Sequence, residues 1–262
     1  MSGHQQSMRN TIKLYASPPH PCSYLPGRQA TTLFVDPFFP MTQAAYTYLS
    51  QLGLRRSGNH VYKPACEGCH ACVPVRVPVA SFRPNRSQRR TWRVNQDLSV
   101  RTCTEVATDE QFPLYAKYLA TRHSDGDMHP PDREQFQSFL SSGWSDSVAY
   151  EFRADGRLVA VAVTDRLQDG LSAIYTFFDP AEAARGLGTY AVLWQIAEAE
   201  RLRLPYLYLG YWIQACRKMS YKQRFHPLEG FVDGHWVVLR KALSATADDA
   251  RVDPTQPTAS LV

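Results

Sequence analysis

The sequence predicts an α+β protein: a larger unit built on a mixed central sheet, preceded by a smaller, turn-rich unit that carries a cysteine run. Three observations point there. Residues 173–213 read as strand, glycine-containing turn, helix and strand, a βαβ core unit. Asp155-Gly156 sits between two alternating apolar runs, the strongest short-range signal for a hairpin. Cys66, Cys69 and Cys72 lie two residues apart in a half rich in turn signals at Gly27, Gly53 and Gly58. The chain of 262 residues, 44% hydrophobic, is long enough for one large domain or two small ones. It has no apolar run of about 18 residues, so no transmembrane helix is expected. The first 20 residues lack an apolar stretch, so no secretory signal is expected either, and a cytoplasmic location follows.

In chain order, residues 1–11 read as a flexible leader. Pro26-Gly27 marks a tight loop, and 31–39 a strand ended by Pro37 and Pro40. Thr42 is the expected N-cap of a helix to about Leu52, closed by Gly53. Residues 73–79 form a short strand, and a helix is expected to start after Pro84. From about 101 the elements lengthen. Residues 109–122 repeat Phe112, Tyr115, Tyr118 and Leu119 at helical spacing, and Asp132 caps a second helix. Strands are expected at 148–153, 157–165 and 170–178. The helix from Gly186 to Leu202 carries a wide apolar arc through Leu187, Tyr190, Ala191 and Trp194, so it should be largely buried. A strand over 206–213, a short helix over 214–225 and a strand over 234–239 complete the unit, and 245–262 reads as a disordered tail. The resulting divisions are 12–100, 101–243 and a tail over 244–262.

This order is that of an acyltransferase domain of the GNAT type. It implies a mixed sheet splayed near 175–178 and 207–211, where unpaired strand backbone can hold an acyl chain as an added strand. The turn Arg185-x-x-Gly188 can aim backbone N–H groups at an anion.

Charge and cysteine chemistry add partners. The net charge is only +5, but 83–93 holds five arginines and no acid, and 217–224 holds four basic residues and no acid. Either could be a solvated face; together, interleaved with Trp92 and Tyr221, they suit a phosphate-rich partner. Cys66, Cys69 and Cys72, with Cys22 as a fourth member, have the spacing of an iron–sulfur or zinc site. The alternative is a reduced, metal-free turn.

At the level of motifs the chain resembles the arginyl-tRNA–protein transferases over about residues 12–240. The resemblance is carried by Cys22-Ser-Tyr-Leu-Pro-x-Arg28, Tyr62-Lys-Pro-x-Cys66-x-x-Cys69-x-x-Cys72 and Ser87-Gln-Arg-Arg90. In the second half it is carried by Tyr115-x-x-Tyr118 with Arg122-His123, Ile174-Tyr-Thr-Phe-Phe-Asp-Pro180, Tyr208-Leu-Gly-Tyr-Trp-Ile213 and Lys218-Met-Ser-Tyr-Lys222 with Phe225-x-Pro-x-Glu229. Length and loop pattern resemble the bacterial branch. That resemblance implies transfer of leucine from leucyl-tRNA to proteins beginning with Asp or Glu, which are thereby marked for the degradation machinery of the N-degron (N-end rule) route. It implies no cofactor for the transfer itself, with an iron–sulfur cluster or zinc at the cysteines as an option.

Within that frame, Tyr175, Asp179, Tyr208 and Tyr211 are candidates for positioning and proton relay on the two central strands. Arg28, Lys63 and Arg76 are candidates for the acceptor's carboxylate. Arg86, Arg89, Arg90, Lys218 and Lys222 are candidates for tRNA, and Phe177, Trp194 and Trp212 for an apolar leucyl pocket. Two other functions compete: a coenzyme-A-dependent N-acetyltransferase, and a metal-bearing nucleic-acid-binding module. Tyr190 stands where coenzyme-A enzymes keep a small residue, which crowds a pyrophosphate.

Overall fold

The computed structural model describes residues 12–239 apart from Asp125 and Asp127; the expected leader, the tail and residues 240–243 lie outside the described residues. Two sheets organise the chain. The smaller contains β1 (Leu14–Ala16), β4 (Thr32–Val35), β5 (Arg55–Ser57) and β6 (His60–Pro64), in the order β1-β4-β6-β5 and all antiparallel. A short ribbon, β2 (His20–Pro21) with β3 (Gln29–Ala30), closes the loop around Pro26-Gly27. Helix α1 (Gln43–Gln51) begins where expected: the Thr42 hydroxyl accepts from the Ala45 N–H at 3.2 Å.

The larger sheet has eight strands. These are β7 (Val73–Pro78), β8 (Ser99–Cys103), β9 (Ser147–Ala154), β10 (Arg157–Arg166), β11 (Gly170–Phe178), β12 (Tyr206–Trp212), β13 (Glu229–Val232) and β14 (His235–Val238). Their order is β14-β13-β7-β12-β11-β10-β9-β8. Only β11 and β12 run parallel, joined by the crossover helix α5 (Leu187–Arg201). The β9–β10 hairpin turns at Asp155-Gly156, both at positive φ, as the dipeptide predicts. Strand β7, from the cysteine-bearing half, lies between β12 and β13 inside this sheet.

Strand alternation divides the core between two faces. Val148, Tyr150 and Phe152 pack with Leu187, Tyr190 and Ala191 of α5. Ala149, Val161, Val163 and Phe177 instead pack beneath α3 (Gln111–Arg122) and α4 (Arg133–Leu140). Helix α4 is capped by Asp132, which accepts from the Gln135 N–H at 2.7 Å. Between the halves runs α2 (Arg86–Val94), opened by a reciprocal capping box of Asn85 and Gln88. Residues 217–224, expected as a short helix, form a 3₁₀ segment.

The splay predicted for the central strands is present, but on β12 it begins after Tyr208, because Leu207 and Tyr208 are still paired with β11. Parallel pairing joins Gly170, Leu171 and Ser172 to Tyr206, Leu207 and Tyr208 and goes no further. Beyond it β11 continues against β10 as far as Phe178, and β12 against β7 as far as Trp212. The facing edges of β11 and β12 are therefore open to each other over that length. A bulge at Leu209 and a positive φ at Gly210 bend β12 at the mouth of the opening.

Candidate active site at the sheet opening

The small sheet reaches into the opening through Arg55. Its Nη1 donates to Ser172 Oγ at 2.7 Å, in the last β11–β12 pair, and its Nη2 to the Ala173 carbonyl at 2.6 Å, immediately past it. A Cβ built on Gly210 would lie 3.2 Å from Arg55 Nε, a tight contact, and the left-handed φ favours glycine there. From the other side comes Lys222, buried, with its ammonium donating to the Tyr211 carbonyl. Burial, then the neighbouring Arg55 charge, lower its pKa to about 7, against a smaller opposing effect of Cys216.

Of the four residues expected on the central strands, two flank this opening. Tyr175 is half-buried on β11, its ring 5.3 Å from Phe139 and 6.2 Å from Tyr115, and its hydroxyl has no hydrogen bond among the described residues. The Tyr211 hydroxyl lies 3.1 Å from both the Gly53 and Tyr62 carbonyls. Burial pushes both phenols well above their ordinary pKa, so at neutral pH each is a proton donor and not a base. The other two are engaged elsewhere. The Tyr208 hydroxyl donates to Asp169 Oδ2 at 2.8 Å and accepts from Arg76. Asp179 receives Lys117 at 2.6 Å, Arg157 at 2.9 Å and the Ala181 N–H at 3.0 Å. Burial works to raise the Asp179 pKa, but these donors outweigh it and hold the carboxylate below its usual range.

The expected acceptor cations are separated. Arg76, on β7, is buried and paired with Glu229 at 2.7 Å, its guanidinium stacked 3.5 Å over Tyr206 and 4.2 Å from Trp236. Arg28 is exposed in the loop between β2 and β3, and Lys63 lies on β6 opposite Leu33. The three stand on three different segments of the chain. The leucyl-pocket candidates also part company, because they fall in different packing groups on the two faces of the sheet. Phe177 is fully buried under α3 and α4, Trp194 packs with Tyr150 and Phe152 on the α5 side, and Trp212 borders a third group with Val75 and Leu209. A cleft of about 760 Å³ that the sequence did not reveal lies between the β5–β6 turn and the end of α4, lined by Ser57, His60, Met128, Ser138 and Phe139. Through Phe139 it borders Tyr175.

The basic candidates gather on one face. Arg86, Arg89 and Arg90 are exposed on α2, and Lys218 is exposed on the 3₁₀ segment. Gln88 Nε2 donates to the Arg224 carbonyl at 2.9 Å and Phe82 stacks on Phe225, which bring the two clusters side by side. Lys222 departs from the set: its charge is turned into the opening, not toward solvent.

Two expectations meet opposing geometry. The Arg185 turn is filled by protein: Arg185 holds Asp97 at 2.8 and 2.9 Å and Glu182 at 3.0 Å, and Asn95 donates to its carbonyl at 2.9 Å. Tyr190 is buried against Trp92 and Phe152, each 5.5 Å away. The Arg185 guanidinium is thus already answered by two carboxylates at the start of α5. At the cysteines, the four thiols come close enough that burial, then Cys66, Cys22 and Cys69, push Cys72 up to about 11. All four are free and half-buried, yet among the described residues no three ligating groups converge on one point. As placed they do not fit a metal centre.

Comparison with known proteins follows the same two halves. The arginine-tRNA-protein transferase N-terminal model matches residues 20–90, and the C-terminal model matches 110–232. The aspartate/glutamate leucyltransferase of Pseudomonas fluorescens (strain Pf0-1) is 56% identical over 228 residues, covering 87% of this chain and 97% of that protein. The enzyme of the same name from Hahella chejuensis is 55% identical over 229 residues, covering 87% of this chain and 98% of its own length. With both family models matched in order and relatives of this identity spanning nearly their whole length, the chain belongs to the arginine-tRNA-protein transferase family.

Proposed function

We propose that this enzyme moves leucine from leucyl-tRNA to the α-amine of proteins that begin with Asp or Glu, marking them for degradation in the cytoplasm. The observation that carries the proposal is the 56% identity, over 97% of its length, to a relative named for that transfer. Two features of the structure support it. The joined basic face suits an acceptor stem, and the adjoining β11–β12 opening suits the aminoacyl end.

The chemistry asks for alignment more than for a strong base. A free α-amine has a pKa of about 8, so a useful fraction is neutral at physiological pH. It attacks the ester carbonyl; the C–N bond forms, the C–O bond to the tRNA ribose breaks, and the amine's proton ends on the departing ribose hydroxyl. Holding amine and ester in register contributes at best roughly 7–11 kcal/mol. Tyr175, kept protonated by burial and without a hydrogen bond among the described residues, is suited to donate a hydrogen bond to an oxygen that gains charge, whereas the Tyr211 O–H is held by the Gly53 and Tyr62 carbonyls and fixes the strand that carries it. A pyrophosphate-binding acetyltransferase is disfavoured by the occupied Arg185 turn, and a plain nucleic-acid-binding module leaves the sheet opening without a role.

The test is a transfer assay with labelled leucyl-, arginyl- and phenylalanyl-tRNA against peptides beginning with Asp, Glu, Lys or Arg. Leucine on Asp- and Glu-peptides, without coenzyme A, is expected. Preference for arginyl-tRNA, or equal use of basic peptides, overturns the substrate assignment.

A further inference from the structure

Buried charge in this fold is nearly always answered by opposite charge. Arg56 is paired with Asp165 at 2.6 Å and Arg76 with Glu229 at 2.7 Å. Glu151 meets Arg153, Asp179 meets Lys117 and Arg157, and Glu198 meets Arg201. Among the described residues, two buried ionisable groups break the pattern: Arg55, 8% exposed, and Lys222, 7% exposed, have no carboxylate partner. They also meet adjacent residues of one strand: the Arg55 guanidinium lies against Gly210 of β12, and Lys222 donates to the carbonyl of Tyr211. Two buried basic groups without an acid are costly, and the cost is relieved when an anion joins them or when Lys222 gives up its proton.

Both retain capacity to bind one. A guanidinium carries five N–H donors and an ammonium three. Arg55 uses one N–H toward Ser172 and one toward Ala173, while its Nε has no partner among the described residues. Lys222 uses one, toward the Tyr211 carbonyl. These contacts lie at the β11–β12 opening, where the Arg55 guanidinium packs against Gly210.

We infer that Arg55 and Lys222 form the receptor for the acidic side chain of the acceptor protein's first residue, its carboxylate seated between them in the opening. The inference rests on the acidic-acceptor assignment made above. It deepens that assignment by moving the specificity away from Arg28, Lys63 and Arg76. Connectivity favours this ligand. The carboxylate of an N-terminal Asp is only two bonds from the α-carbon that bears the attacking amine, so its receptor must stand beside the aminoacyl ester. Arg76 is already neutralised by Glu229, and Arg28 and Lys63 lie in the small N-terminal elements. Depth favours it over a tRNA phosphate. The arginines available to a polynucleotide backbone are the exposed ones on α2, whereas a pair this buried admits a small planar group that a guanidinium can grip at two points.

The experiment measures, by calorimetry, the binding of two peptides that differ only in beginning with Asp or Asn. It uses wild-type protein, Arg55→Gln, Arg55→Lys and Lys222→Met, with folding checked by circular dichroism and uncharged tRNA affinity measured alongside. Wild type should favour the Asp peptide. Arg55→Gln and Lys222→Met should each lower that preference by about tenfold or more, Arg55→Lys should retain part of it, and tRNA affinity should hold. Should Arg55→Gln fail to fold, Lys222→Met still decides. An unchanged Asp-over-Asn preference, no preference in wild type, or a loss confined to tRNA affinity overturns the receptor. Leucyl transfer by wild type, run in parallel, separates the two ideas. Absent transfer with the preference and its loss in the variants intact sinks the leucyl assignment alone, and normal transfer with an unaffected preference sinks the receptor alone.

Discussion

The side-chain amide of Gln88 donates to the backbone carbonyl of Arg224 at 2.9 Å, and through that bond two basic segments far apart in the chain become one surface. Gln88 is also half of the capping box that starts α2, so one buried side chain sets both the helix origin and its docking. Phe82 stacked on Phe225, ring centroids 6.2 Å apart, holds the same junction from the apolar side.

The first prediction concerns this face. Replacing Arg89 and Arg90 together with alanine should weaken binding to every tRNA alike. Each phosphate that is no longer neutralised takes about 0.7–0.9 off the slope of log affinity against log salt. Filter binding between low and moderate salt reads the change, and an unaltered slope would make the surface a solvated one.

At the mouth of the opening, Gly210→Ala should cost about 1–2 kcal/mol from its left-handed backbone alone. It should also shift the Arg55 guanidinium slightly, since the new methyl would lie 3.2 Å from Nε. Urea unfolding measures the first effect. Transfer to an Asp-starting peptide measures the second, which should exceed what the stability loss explains.

Arg76→Ala separates two accounts of acidic-acceptor choice. Arg76 is bonded to Glu229 and stacked between Tyr206 and Trp236, so its removal should destabilise the protein by about 3 kcal/mol. The protein that remains folded should keep its Asp-over-Asn preference. A stable variant that loses the preference would return the receptor to β7.

Lys222 should make stability depend on pH. Its folded pKa is lowered to about 7 from 10.5, by burial first and by Arg55 second, with Cys216 opposing. The ring of Tyr221, 5.9 Å from Nζ, and the Tyr211 carbonyl are its other neighbours. Between those two values the unfolded chain holds a proton that the folded chain has released. Stability therefore rises with pH across that window, by up to about 1.4 kcal/mol per unit, and this contribution is flat below it. Urea unfolding of wild type and Lys222→Met from pH 6 to 10 should give diverging profiles; parallel ones would place the charge in solvent.

Much of this protein is legible in its linear chain. Thr42 and Asp132 cap their helices, Asp155-Gly156 turns its hairpin, and the 173–213 stretch forms the βαβ unit, because each depends on chemistry within a few residues. The splay follows from that order, and the ordered motifs of both halves identify the family. What the chain hides is where its charges end. Nothing in the linear chain distinguishes Arg55 from Arg56. Folding gives Arg56 to Asp165 and leaves Arg55 in the opening without an acid. Lys222 reads as one more member of a basic cluster, yet a 3₁₀ segment turns it inward while its neighbours face water. Arg76 reads as available and is already paired. Helices, turns and strands are decided by local energetics that the sequence carries in short words. The state of a charge is decided by what lies within a few ångströms in space: Asp165 reaches Arg56 only once the two sheets have packed, Glu229 reaches Arg76 only once β13 pairs with β7, and Tyr211 reaches Lys222 only once the 3₁₀ segment docks on β12.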